Sequence, residues 1–443
     1  MRQVRLGALL ALLVGALLWP AAPGARAAGE AGFIDFSFFV AARGQPNVDA
    51  VTTPSAEKPQ SKLWYNDGRW WADLVSPAAR AHRIFALDRA TQQWVDTGTR
   101  LDPRLQTKSD CLWDGAHLYV VSGGGLESTG ADLDAQLFRY SYANGAYRLD
   151  SGFPVTVRRG GAEAIVIDKD TRGTLWVAYT QGNTVFVNSS AGADNKWGSP
   201  LALAPAQTNG TVTTDDIASL VAYGGKIGVL WSNQNDGGFY FASHADGTPA
   251  NRWSGATVAR SPGLADDHIS LKALQSGATG TLYAAVKTSL TQPGEPSILL
   301  LVGRPQASGD VAWATVLVSA VSANQTRPMV MLDSTNRQVY VILADESGGS
   351  IYYKSASLDG PAFDPNSKGQ LLIGSARAPF LNNATSSKQS VNGATDLVAL
   401  ASYDNFARPS ASPATTDVYA HGVIDLAGGA PPSSWVFVPL ARR

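Results

Sequence analysis

The segment Asp266-Asp267-His268-Ile269-Ser270-Leu271-Lys272-Ala273 holds the densest set of reactive side chains in the sequence. In an extended strand, Asp266, His268, Ser270 and Lys272 fall on one face, and Ile269, Leu271 and Ala273 on the other. His268 is one of five histidines. It suits a general base or a metal ligand, although a hydrogen-bonded structural histidine has the same appearance. Polar and charged residues stand at the same place before other apolar runs: Lys62, Lys108 with Asp110, Glu163, Asp215 with Asp216, Arg327, and Lys388 with Gln389.

Three chemistries fit this inventory. Lyase action on a uronate-containing polysaccharide needs cations against the carboxylate and a base for the carbon-bound proton. Lys62, Lys272, Arg327 and Lys388 with His268 supply these. Glycoside hydrolysis needs two carboxylates roughly 5 Å or roughly 6.5–9.5 Å apart, and Glu163 with Asp110, Asp216 or Asp267 supplies them. A non-catalytic module binding a glycan or a protein needs only the polar rim. The candidate catalytic set is therefore His268, Lys272, Glu163, Asp216 and Asp267, and the candidate substrate-binding set is Lys62, Lys108, Asp110, Arg327, Lys388 and Gln389. A solvated ring of structural ion pairs is the competing reading of the same charges.

These residues need a scaffold that brings distant segments to one point. Seven times the sequence repeats a strand, a turn and a second apolar strand, the latter exemplified by Leu118-Tyr119-Val120-Val121, Leu175-Trp176-Val177-Ala178-Tyr179 and Leu282-Tyr283-Ala284-Ala285-Val286. The repeats begin near residues 62, 108, 163, 215, 268, 327 and 388, at spacings of 46 to 61 residues. Turn signals such as Asn66-Asp67-Gly68 separate the strands. Repetition of β-hairpins at this period predicts an all-β fold, a single β-propeller of seven four-stranded blades, or six if the first or last repeat is a fragment. First strands line the central channel in such a ring, so the charges above converge at its mouth. Phe33–Val40 and Trp435–Leu440 are both available to complete the last blade. Trp94, Trp197, Trp253 and Trp313 recur late in their repeats and read as packing between blades rather than as sugar platforms.

The phrase Ile167-Asp168-Lys169-Asp170-x-x-Gly173-x-Leu175-Trp176-Val177 resembles the blade grammar of secreted bacterial sialidase-like (BNR-type) propellers. The likeness covers nearly the whole chain after residue 27. It implies the propeller fold and a carbohydrate ligand. The catalytic motifs of true sialidases are not found: Arg-Ile-Pro is absent, and Ser190–Trp197 and Ser243–Trp253 only loosely echo an Asp box.

Composition narrows the partners. Thirty-five basic against 36 acidic side chains give a net charge of −1, without the basic excess that nucleic-acid binding needs. Residues 1–27 read as a secretory signal peptide, with Arg2 and Arg5, an apolar stretch, and Ala25-Arg26-Ala27 for cleavage. Residues 28–443 form the propeller domain, expected outside the cell as a monomer with no membrane span. The single Cys111 reads as a buried, inert thiol. Asp215-Asp216 and Asp266-Asp267 offer oxygen ligands, but adjacent acids point opposite ways along a strand. No EF-hand or His-x-x-x-His spacing accompanies them, so no metal or cofactor is expected.

Overall fold

The computed structural model describes residues 30–42, 45–49, 51, 53–125, 133–274, 280–347, 349–403 and 417–427. The proposed signal peptide and Trp435–Leu440 lie outside them. Seven antiparallel sheets form the blades, six from consecutive strands and the seventh from three consecutive strands plus Phe33–Ser37; Ala41–Ala42 and Gln45–Asp49 pair as a separate two-stranded ribbon. The innermost strands are Leu63–Asn66, Thr107–Trp113, Ile165–Lys169, Ala218–Tyr223, Ile269–Leu274, Gln325–Asp333 and Asn382–Thr385. Six blades have four strands. In blade two the outer position is shared by Ala146–Leu149 and Val155–Arg158, which pair with opposite ends of the same third strand, Ala135–Ala143. The fold is an all-β seven-bladed propeller.

Local chemistry sets the hairpins. Asp67 and Gly68 both take positive φ, 52° and 72°, as the tight turn between Leu63–Asn66 and Arg69–Ser76 requires. Second strands are buried on both faces: Leu118, Tyr119, Val120 and Val121 are fully enclosed. Their alternate side chains feed two different inter-blade cores. Leu118 and Val120 join Trp64 and Trp71 from blade one, while Tyr119 and Val121 join Ile165 and Val177 from blade three. Trp94, Trp253 and Trp313 pack at such seams, against His421, Trp176 and Phe241 respectively.

The ring closes with strands from both ends of the chain. Phe33–Ser37 pairs with Val418–Ile424 and becomes the outer strand of blade seven. Of the two candidate closing strands, the N-terminal one fills this place. The next described segment, residues 53–62, turns inward across the channel mouth. Ser55 Oγ donates to Asn383 O of blade seven at 2.8 Å, and Gln60 Nε2 to Ile165 O of blade three at 3.2 Å.

Inner strands have one edge facing a neighbour with which they do not form a regular ladder. Side-chain oxygens occupy those N–H groups instead. Asp110 accepts from Ser61 N (2.7 Å) and Ile167 N (2.8 Å), Asp168 from Ala222 N (2.8 Å), Ser270 from Val330 N (3.2 Å), and Thr385 from Lys62 N (3.2 Å). Each bond ties one blade to the next. Asp110 is fully buried and also holds Lys388 Nζ at 2.8 Å. Truncating it orphans two backbone donors and a buried ammonium. Asp110→Ala is therefore expected to lower unfolding free energy by about 3–5 kcal/mol, measured by urea denaturation. A loss under about 1 kcal/mol would show that the inner ring does not depend on this carboxylate.

Candidate functional site

Segment 53–62 brings Glu57 and Lys58 to the channel mouth, neither of them among the candidates named above. Lys58 has a φ of 44°, and Arg327, on the inner strand of blade six, has a φ of 49°. Left-handed backbone at non-glycine residues costs about 1–3 kcal/mol each and persists only where the surroundings enforce it. The Lys58 ammonium is paired with both Glu163 of blade three and Asp267 of blade five. One oxygen each of Glu163, Asp215 and Asp267 lies within 4.8 Å of the others. Beside them Glu57 accepts from Lys108 Nζ at 2.6 Å and from Thr53 Oγ1 at 3.1 Å. Arg327 Nε donates to Asn383 Oδ1 at 2.7 Å. Oxygens of this kind could coordinate a divalent cation; here the Lys58 ammonium supplies the positive charge between two of them.

His268 completes the cluster. Its Nδ1 stands 2.6 Å from Asp266 Oδ1 and 2.6 Å from Asp267 Oδ1, and Lys287 Nζ holds the other oxygen of Asp266 at 3.2 Å. Two carboxylates on Nδ1 place a proton there. His268 Nε2 and Glu163 Oε2 are buried and have no hydrogen-bond partner among the described residues.

Two neighbouring carboxyl groups are driven in opposite directions. Burial raises Glu163 to about 7, against the attraction of Lys58 and with help from the nearby Glu57 charge. Burial also disfavours the Asp267 anion, but the hydrogen bond and charge of His268, together with Lys58, hold it well below the usual carboxylate range. Near neutrality, then, one acid retains much of its proton and its neighbour is ionised.

Other candidates sit elsewhere. Lys62 is buried between blades one and two, bonded to Asp73 at 3.1 Å and Ser109 at 2.9 Å. Asp216 is fully buried. It caps its own loop through Thr213 N, Ser232 Oγ and Gln234 N, because its neighbour Asp215 takes the outward direction. Gln389 clasps both backbone groups of Tyr65 at 2.8 and 3.0 Å. Lys388 is not on the inner strand of blade seven, which ends at Thr385, but on the loop beyond it, bonded to Asp110. Lys272 lies deeper in the channel, donating to Ser387 O at 2.6 Å and Ser61 Oγ at 3.2 Å. Burial and the nearby Lys388 charge depress it to about 7. Glu163, Asp267, His268, Lys108 and Arg327 gather around the 53–62 segment, which Lys272 reaches through Ser61; Lys62, Asp110, Lys388 and Gln389 bind blades together, and Asp216 closes its own loop. Trp70 and Trp71 are both buried, and Cys111 is a buried free thiol.

No protein-family model matches the chain, and no curated protein does. Among solved structures it is similar to a mutant of NanB sialidase from Streptococcus pneumoniae, at 12% identity and a TM-score of 0.36, over 72% of this chain and 53% of that one. The chain thus spans about half the length of that sialidase. It is similar also to polysaccharide lyase Uly1, at 11% identity, covering 90% and 98% of the two chains with a TM-score of 0.49. Similarity to the periplasmic gluconolactonase PpgL of Pseudomonas aeruginosa is at 14% identity, 86% and 98% coverage, and a TM-score of 0.48.

The displaced Glu163 equilibrium has a stability signature. An acid raised from 4.5 to about 7 on folding binds its proton more tightly in the folded chain. Its contribution to stability is therefore lost as pH rises from about 4.5 through about 7. Glu163→Gln should remove that fall, making the variant's stability relative to wild type improve between pH 5 and pH 8 in urea unfolding. Parallel curves for the two proteins across this window would rule out a raised Glu163.

Proposed function

We propose that the channel face hydrolyses a glycosidic bond with Glu163 as general acid and Asp267 as nucleophile. The observation that carries this reading is the pair of carboxyl groups within 4.8 Å whose surroundings drive one toward protonation and the other toward ionisation. Such a division of roles is the general pattern of acid–base pairs, and the short separation suits the retaining geometry.

In the first step Glu163 gives its proton to the glycosidic oxygen while Asp267 attacks the anomeric carbon, breaking the bond and forming a glycosyl ester. In the second, Glu163 takes a proton from the incoming water, whose oxygen releases the sugar and restores the Asp267 carboxylate. Lys58 and His268 favour the ionised form of Asp267 between turnovers, so both act as positioning residues. The unpartnered Glu163 Oε2 is the atom available to a leaving group. Lys108, Arg327 and Asp215 offer polar contacts to a hydroxyl-rich ligand around it.

A second reading has its own observation. His268 Nε2 is buried and unpartnered while Nδ1 is anchored, the arrangement of a base able to take a carbon-bound proton in a lyase. The products separate the two: elimination yields an unsaturated sugar that absorbs in the ultraviolet, and hydrolysis yields reducing ends without it.

For hydrolysis, Glu163→Gln and Asp267→Asn should each lower kcat by about 10²–10⁴-fold in a reducing-end assay over neutral and acidic polysaccharides. Activity should decline as pH rises through about 7, where Glu163 loses its proton. Full activity in both variants, or a rate that climbs through this range, would transfer the chemistry to other groups.

A further inference from the structure

At the seam between blades two and three lies a cleft of about 480 Å³ that the channel-face chemistry leaves unused. Arg158 ends the last strand of blade two and lines this cleft, only 2% exposed. Its Nη2 donates to Leu133 O at 2.8 Å and Gly124 O at 3.2 Å. Among the described residues its Nε and Nη1, both buried, have no partner, and no carboxylate is bonded to the guanidinium. The neighbouring arginines differ: Arg104 is bound to Asp102 at 2.7 Å, and the exposed Arg159 stands 3.5 Å from Asp134. Glycine at 123 makes the burial possible, since a Cβ there would sit 2.9 Å from Arg158 Nη2.

A buried guanidinium without an anion is costly, by several kcal/mol of lost hydration. Burial draws the Arg158 pKa down to about 10. Aromatic rings surround it. The guanidinium carbon lies 5.6 Å from the Tyr179 ring centre, and Tyr179 stacks on Phe186 at 5.7 Å. Trp197, half-buried and also lining the cleft, is fixed by a 2.9 Å bond from Nε1 to Asp194 O. Asn195 and Gln181 place amide groups along the rim.

We infer that this cleft is a second binding site, for a carboxylate-bearing sugar such as a uronic acid. The sugar ring stacks on the aromatic wall of Trp197 and Phe186, and the carboxylate takes the free N–H groups of Arg158. A planar anion matches the guanidinium fork, a pyranose face matches an indole face, and the rim amides suit ring hydroxyls. This site shares no residue with the Glu163–Asp267 pair and does not rest on the hydrolase reading.

Calorimetric titration of the whole protein with sodium glucuronate, and with glucose as its neutral counterpart, tests the assignment. Wild type and Glu163→Gln are expected to bind glucuronate alike and at least about tenfold more tightly than glucose, the worth of a charge-assisted hydrogen bond. Arg158→Gln should abolish that preference, and Trp197→Ala should weaken both sugars about tenfold. Because Arg158 is buried and its variant can fail to fold, the half-exposed Trp197 decides independently. Equal affinity for the two sugars, no binding of glucuronate, or unchanged binding in Trp197→Ala overturns the proposal. Loss of glucuronate binding in Glu163→Gln would move the ligand to the channel face and equally overturn it.

Discussion

A ring of radial sheets leaves the inner edge of every blade with backbone donors that no regular ladder can satisfy. Buried N–H groups left unbonded cost about 1–3 kcal/mol each, so the axis must be furnished with side-chain acceptors. Asp110, Asp168, Ser270 and Thr385 perform that task by reaching across to the next blade. Carboxylates near the axis then require cations, and Lys388 answers Asp110. The polarity of the channel is thus first a consequence of backbone valence. Where the demand of the strands ends, at the mouth, Glu163, Asp215 and Asp267 come together without that backbone duty.

That mouth is shaped by a loop rather than by a blade. Segment 53–62 places Lys58 between blades three and five and Glu57 beside Lys108, joining parts of the ring that do not touch through their strands. The left-handed backbone at Lys58 and Arg327 means that these two cations are held by the surrounding structure against their own preference. Their charges act on fixed carboxylates at short range in partial burial, where screening is weak. Within the same few ångströms burial raises Glu163 to about 7, against the pull of Lys58, while His268 and Lys58 keep Asp267 ionised.

The blade count and six of the seven inner strands were legible because hairpin turns and doubly buried second strands leave local marks, as at Asp67-Gly68 and Leu118–Val121; that of blade seven, Asn382–Thr385, precedes the expected start near Lys388. The polar parity of Ser270 and Lys272 was visible too. Its meaning was not. Whether Asp110 or Glu163 has a free oxygen depends on which backbone N–H of another blade lies opposite, and sequence spacing carries no such register. Asp215 and Asp216 show the same limit: one faces outward and one closes a loop, and only the loop geometry chooses. Lys58 escaped notice because segment 53–62 has no periodicity. The available signal was a charged pair, Glu57-Lys58, set between Pro54 and Pro59 in a chain poor in charge. Arg158 lacked any sequence mark, since an arginine without an acid is recognised only after its neighbours are placed.

The strand that closes the ring and the loop that carries Lys58 belong to one stretch of chain. Asp35 meets His421 across 386 residues of sequence, so this union is the most non-local step of folding and forms slowly relative to single hairpins. During synthesis the first residues must wait for the last blade to emerge before they find their partner. Glu163 and Asp267 are made well before that moment, yet neither can meet a seated Lys58 until the circle is complete. Assembly of the carboxylate cluster is thereby timed to the end of folding, and an unfinished chain carries these acids without the ammonium that bridges them.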